Sequence, residues 1–161
     1  MSGVFSGVYQ IAYVTTDLDY ALKVFTNDYD VPRWKVLGEV SLALDDGGST
    51  RIRLALTFVG PLQLEIIEPL GGEDALYREA LPPEGFGLKW HHVGFKVPSV
   101  EALAEIREKV AARGDPYVIG GGDPKSAKFF YADARHRLGH FLEYIYLSPE
   151  RQELHASFPR N

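Results

Sequence analysis

Four polar side chains interrupt stretches whose composition otherwise reads as apolar strand: Gln10, Glu65, His92 and Glu143. Residues two apart on a strand share a face. Gln10 therefore sits with Ala12 and His92 with Gly94, small neighbours that leave room beside the polar groups. Glu65 shares its face with Gln63 and Ile67, and Glu143 with Phe141 and Ile145. A carboxylate taken out of water without a partner costs several kcal/mol, roughly, and two converging carboxylates repel as well. A divalent cation between them removes both difficulties, with the imidazole and the amide oxygen completing a mixed N/O shell. Such an ion stabilises negative charge on a carbonyl or carboxylate oxygen, and a carboxylate at its edge can take a proton from the neighbouring carbon. His91 alternates with Val93, Phe95 and Val97, so it is expected on the face that packs against a helix, in a structural role.

The elements that must position these residues run in the same order twice. Val8 to Thr15 is strand-like; Asp17 is placed to cap a helix in which Leu18, Ala21, Leu22 and Phe25 recur at helical spacing. Strands follow at Trp34 to Val40, Arg51 to Val59 and Leu62 to Glu68, the last two joined tightly at Gly60-Pro61. After a Gly-, Pro- and acid-rich linker, with a short helix expected around Glu73 to Ala80, the order restarts. Trp90 to Val97 is strand-like, Ser99 is the cap, and Leu103, Ile106 and Val110 mark a helix. Strands are then expected at Pro116 to Ile119, Ala127 to Ala132 and His140 to Leu147. Gln10 and His92 lie 82 positions apart, Asp17 and Ser99 the same, and Glu65 and Glu143 lie 78 apart. Two copies of about 80 residues make a paired-module fold rather than a solenoid. One copy alone buries too little surface to be stable. The expectation is an α+β domain of two βαβββ modules forming one curved, cupped mixed sheet: module 1 over 8–69, linker 70–89, module 2 over 90–148, and a tail 149–161 in which Leu154, Phe158 and Pro159 can pack on the body or a second subunit.

Composition narrows the function. The 161 residues are 45% hydrophobic and 24% charged, as expected of a folded domain rather than a disordered chain. A net charge of -5 argues against nucleic acid or an anionic membrane as partner. The absence of cysteine removes disulfides, thiolate zinc sites and Cys nucleophiles. Met1 to Gly7 shows no basic stretch leading into an apolar core, and no apolar run is long enough to span a bilayer, so a cytoplasmic location is expected. Gly120-Gly121-Gly122 lacks the strand-to-helix setting of a phosphate loop.

The chain resembles the vicinal oxygen chelate superfamily, which includes glyoxalase I, methylmalonyl-CoA epimerase, ring-cleaving dioxygenases and antibiotic-binding resistance proteins. The segments that carry the likeness run from Gln10 through Asp17 to Leu18, from Leu64-Glu65 to Pro69, from His91-His92 to Val97, and from Gly139 through Glu143 to Tyr144. They cover nearly the whole of Val8 to Leu147. The resemblance places the family's four metal ligands on Gln10, Glu65, His92 and Glu143, holding one divalent ion (zinc, nickel, cobalt, manganese or iron). It implies Glu143 as catalytic base with Glu65 opposing it, a small-molecule or thioester substrate, and a homodimer. Tyr131 and Arg135 are candidate substrate contacts, the latter from the charged run Asp133 to Arg137. The implied chemistry is proton abstraction α to a carbonyl, by an isomerase, epimerase or lyase. The ligand set resembles that of some glyoxalase I enzymes, whereas the epimerases have His where Gln10 stands and a second carboxylate where Gly47, Gly48 and Ser49 stand; Asp45 or Asp46 is the nearest substitute. A facial triad of a ring-cleaving dioxygenase would need a second histidine in place of Gln10. The alternative of another class is a metal-free small-molecule binder walled by aromatics.

Overall fold

Two helix caps announce the duplication. Asp17 accepts a hydrogen bond from the Tyr20 amide at 2.9 Å, and Ser99 from the Ala102 amide at 3.1 Å, each satisfying an amide that the first helical turn leaves without a partner. The computed structural model describes residues 3–161; Met1 and Ser2, the first residues of the stretch read for a leader, lie outside them. Module 1 is β1 (Val8–Thr15), α1 (Leu18–Asp28), β2 (Lys35–Ala43), β3 (Ser49–Val59) and β4 (Leu62–Gly72). A short α2 (Ala75–Arg78) follows. Module 2 is β5 (Leu88–Val97), α3 (Val100–Ala112), β6 (Tyr117–Asp123), β7 (Ala127–Asp133), α4 (Arg135–Leu138) and β8 (Phe141–Leu147), with α5 (Pro149–Ala156) after it. The fold is the expected α+β arrangement of paired βαβββ modules.

All eight strands form one mixed sheet in the order β2-β3-β4-β1-β5-β8-β7-β6. Each module pairs its first and last strands in parallel, β1 with β4 and β5 with β8, and the modules join by antiparallel pairing of β1 with β5. The register repeats: Ala12 stands beside Glu65 in one module as Gly94 stands beside Glu143 in the other. The sheet curls until its outer strands touch, with a bridge between Leu44 and Gly121 and a hydrogen bond of 3.0 Å from the Asp45 amide to the Gly120 carbonyl.

Alternation sorts the side chains into layers. On the convex face α1 covers Ala55 and Ile66, and α3 covers Phe95, Phe130, Leu142 and Tyr144. The concave face is a filled core, not an open groove: Val14, Leu54, Leu56, Ile67, Phe129 and Phe141 meet there. Two segments outside the strands add to it. Leu76 and Tyr77 from the stretch between the modules are buried in this core, and so is Phe158 from the tail; each such side chain contributes about 1.5–3 kcal/mol by leaving water.

The triple glycine, which falls between the strands expected at Pro116 to Ile119 and Ala127 to Ala132, lies inside β6. A Cβ on Gly121 would stand 2.3 Å from the Ala43 carbonyl oxygen, so the missing side chain is what lets the far edge of the sheet come in. The tail forms a helix because Ser148 accepts from the Arg151 amide and Pro149 occupies the first turn, where a missing N–H costs nothing.

Candidate functional site

β1 and β5, the central strands, bring the four polar positions together inside the curl. Gln10, Gln63 and His92 are buried, and the side chains of Glu65 and Glu143 retain 13% and 9% of their exposure. Around His92 Nε2 stand Gln10 Oε1 at 3.1 Å, Glu143 Oε2 at 3.4 Å and Glu65 Oε2 at 3.6 Å. All of these side chains belong to one chain.

The position of His91 differs from the sequence expectation. β5 carries an extra residue opposite the step from Ala12 to Tyr13, a bulge that breaks the alternation. His91 consequently turns inward with His92 rather than toward a helix. Its ring lies 4.9 Å from Phe141 and 5.3 Å from Tyr77, and its Nδ1 is 2.9 Å from His92 Nδ1.

This contact fixes a tautomer. His91 Nε2 lies 2.9 Å from the Leu76 carbonyl oxygen, which can only accept, so Nε2 carries the hydrogen. Burial, aided by the neighbouring His92, pushes His91 down to about 3 and keeps the ring neutral. Its Nδ1 is thus bare, and His92 must donate from Nδ1. In a neutral His92 the Nε2 lone pair then faces the oxygen cluster.

Gln10 is held in the same sense. Its Nε2 donates to Gln63 Oε1 at 2.9 Å, which turns its Oε1 toward His92 and leaves Gln63 Nε2 buried without a partner. Turning both amides over would let Gln10 donate to His92 and would satisfy Gln63. Glu65 completes the electrostatic picture: burial first, and the charge of Glu143 second, push its carboxyl well above the usual range. Four lone-pair donors and two mutually repelling carboxyl groups are the chemistry of a cation site. The separations from His92 Nε2 compare with about 3.0–3.4 Å between donors bound at about 2.1 Å to one ion. Among the described residues no three His, Asp or Glu side chains form a ready metal-binding group, so the fit rests on the donor set that the Gln10 amide completes.

Around the cluster the wall is aromatic. Tyr131, opposite Glu143 in the sheet, is buried with its ring 5.1 Å from His92 and its hydroxyl 3.4 Å from that of Tyr77. Burial and then Glu143 push the Tyr131 phenol up, as they do that of Tyr9. Arg135 is not brought to the cluster. Its guanidinium bonds to Asp133 at 2.6 Å and to Glu79 at 2.7 Å and lies over the Phe141 ring. Asp45 is also elsewhere, paired with Lys128 at the seam of the sheet.

Three side chains near the site went unmarked in the sequence. Gln63 occupies the place in module 1 that Phe141 holds in module 2, and its alternation with Glu65 was the available signal. Tyr9 is turned inward by a second bulge, between Val8 and Gln10. Its ring and Gln10 fill the space over Gly94, where a Cβ would stand 2.8 Å from Gln10 Oε1; the room left by that glycine is taken by the protein itself. His155 comes from α5, and nothing in its local pattern singled it out.

No family model matches the chain, and no curated protein matches it in sequence. Solved structures do share its fold. Methylmalonyl-CoA epimerase from Mycobacterium tuberculosis is 15% identical, with 95% of each chain covered and a TM-score of 0.56. A methylmalonyl-CoA epimerase in complex with methylmalonyl-CoA and NH4+ is 15% identical, covering 89% of this chain and 95% of that one, with a TM-score of 0.59. A Streptomyces coelicolor methylmalonyl-CoA epimerase variant in complex with 2-nitronate-propionyl-CoA is 16% identical over 88% of this chain and 97% of that one, at a TM-score of 0.58. What they share with this chain is the fold, the paired-module architecture.

Proposed function

We propose that this chain, built on the fold of the methylmalonyl-CoA epimerases, is a divalent-metal-dependent enzyme that moves a proton at the carbon α to a carbonyl of a small molecule or thioester. The reading rests on one observation: three oxygens of Gln10, Glu143 and Glu65 surround the His92 nitrogen whose ring partner His91 holds the hydrogen on the other side. Gln10 Oε1, Glu65, His92 Nε2 and Glu143 would hold the ion. A divalent ion bound there supplies Lewis-acid stabilisation for negative charge developing on a carbonyl oxygen.

The rest is the work of the chain's own groups. Glu143, a carboxylate among aromatics, accepts the α-proton, and the C–H electron pair moves into the bond toward the carbonyl carbon, whose oxygen takes the charge. Glu65, as the acid of the pair, gives up a proton to the opposite face and yields the epimer; delivery to a neighbouring carbon gives an isomer. Tyr131, Tyr77 and His91 exclude water from the basic carboxylate.

The test is deuterium uptake from D2O into a panel of small thioesters, 2-oxo aldehydes and keto acids. Glu143→Gln is expected to reduce exchange at least about a hundredfold, about 3 kcal/mol of transition-state stabilisation. Purified without chelator, the protein should carry close to one divalent ion per chain. Near-normal exchange in Glu143→Gln rules out the base; less than about 0.2 ion per chain with no rescue on adding metal favours the metal-free binder.

A further inference from the structure

The two modules fill one matching place unequally. Positions 82 apart correspond on α1 and α3, as the caps Asp17 and Ser99 do. In module 1, Leu22, Phe25 and Tyr29 project from α1 at successive turns. Leu22 and Trp34 pack against the buried Phe25, whose ring lies 5.5 Å from Trp34 and 5.8 Å from Tyr29. The counterparts of Leu22, Phe25 and Tyr29 on α3 are Ala104, Arg107 and Ala111. Three large side chains are thus replaced by two methyl groups and a cation, and a cleft of about 560 Å³ stands there between α3 and the strands β6 and β7. Small-molecule sites fall in the range of roughly 300–1,000 Å³. The buried Leu103 and Phe130 and the half-buried Tyr117 line it with the two alanines, and none of Gln10, Glu65, His92 or Glu143 borders it.

Arg107 is the uncommitted cation of this cleft. Its guanidinium lies 3.9 Å over the Tyr117 ring, and among the described residues it makes no ion pair and no side-chain hydrogen bond. A guanidinium stacked by its face keeps its N–H edges for a bidentate carboxylate. Lys128 and Asp45, which also border the cleft, neutralise each other. Glu108, the remaining charge there, is exposed and disfavours a second anionic group on the same ligand. We propose that the cleft binds an aromatic monocarboxylate, with its carboxylate on Arg107 and its rings in the space that Phe25 and its neighbours occupy in module 1. Tyr117 and Phe130 offer such rings aromatic partners. The site is separate from the proton-transfer reading and does not depend on it.

The test titrates 2-naphthoate, and 2-naphthalenemethanol as a neutral molecule with the same rings, into the purified chain while the methyl signals of Ala104 and Ala111 are followed by NMR. The wild type is expected to shift both methyls and to bind the naphthoate at least about tenfold more tightly, the scale of one charge-assisted hydrogen bond. Arg107→Met should bring the naphthoate down to the level of the alcohol. The double variant Ala104→Leu, Ala111→Phe, which refills the cleft with large apolar side chains as in module 1, should weaken both probes at least about tenfold, with thermal melts confirming that each variant folds. No binding at millimolar probe, shifts at neither alanine, or a preference that survives in Arg107→Met overturns the inference. Broadening of the two methyls that depends on protein concentration and ignores both probes gives the cleft to a second copy of the chain, and overturns it as well.

Discussion

At the scale of single residues, orientation matters as much as identity. Gln10, Glu65, His92 and Glu143 were legible in the sequence because each is a polar side chain in an apolar strand at a repeat-related place. What the letters could not convey is that His91 determines which nitrogen of His92 faces the oxygens. That relay runs from the Leu76 carbonyl through His91 to His92 by two contacts of 2.9 Å. A metal-binding imidazole is usually held this way by a partner on its far nitrogen, and losing the partner costs roughly 10–100-fold in metal affinity. His91→Phe, which keeps the ring among Tyr77, Tyr131 and Phe141, should therefore weaken divalent-ion binding by about that factor, measured by competition with a chromophoric chelator. Unchanged affinity would mean that His92 needs no such orienting partner.

At the scale of elements, two bulges and one helix make the difference between the expected and the observed site. Strand alternation is a reliable guide only while the pleat is unbroken. The extra residue in β5 moves His91 from the helix face to the interior, and the one in β1 does the same for Tyr9. Neither is announced by a glycine or proline at the bulge. α5 is a third case: its sequence is mostly polar, and its one half-buried side chain, His155, makes its contact through Phe158 rather than through a helical stripe. Burial first, then the charges of Lys96 and Arg151, hold His155 down at about 4. An unfolded histidine titrates near 6.5, roughly, so the unfolded chain binds this proton first as the pH falls. The contribution of the neutral ring is fully present above about 6.5 and is lost as the pH drops toward about 4, with a slope approaching 1.4 kcal/mol per pH unit. Replacing His155 by Phe, which preserves the stack on Phe158, should flatten the fall in melting stability over that window by about one proton's worth. An identical slope in both proteins would show that His155 does not titrate with folding.

At the scale of the whole molecule, closure of the sheet concentrates the site in one chain. Because β1 and β5 pair within the molecule, both modules deliver their polar residues to the same interior, and the cluster needs no second copy to complete it. The outer strands meet at Leu44 and Gly121, where Asp45 also pairs with Lys128. Gly121→Val would set a side chain against the Ala43 carbonyl and should cost about 1–3 kcal/mol. It should also speed hydrogen exchange at the Asp45 amide, whose bond to Gly120 spans the seam. If that amide stays as protected as before, the seam is not what holds the edges together.

The duplicated order of strands and helices, the two caps and the four polar positions were all determined by the sequence, since periodicity, capping chemistry and the cost of burying a charge are local properties. Even the linker's short helix was readable, though the arrival of its Leu76 and Tyr77 in the core was not. The tertiary structure alone decided that apolar side chains fill much of the interior, that the four polar side chains meet within one chain, and that His91 and Tyr9 turn toward them. The physical reason is common to these points: each depends on a register shift or a packing contact between segments far apart in the chain, and a pattern read along one strand carries no information about its neighbour across the sheet.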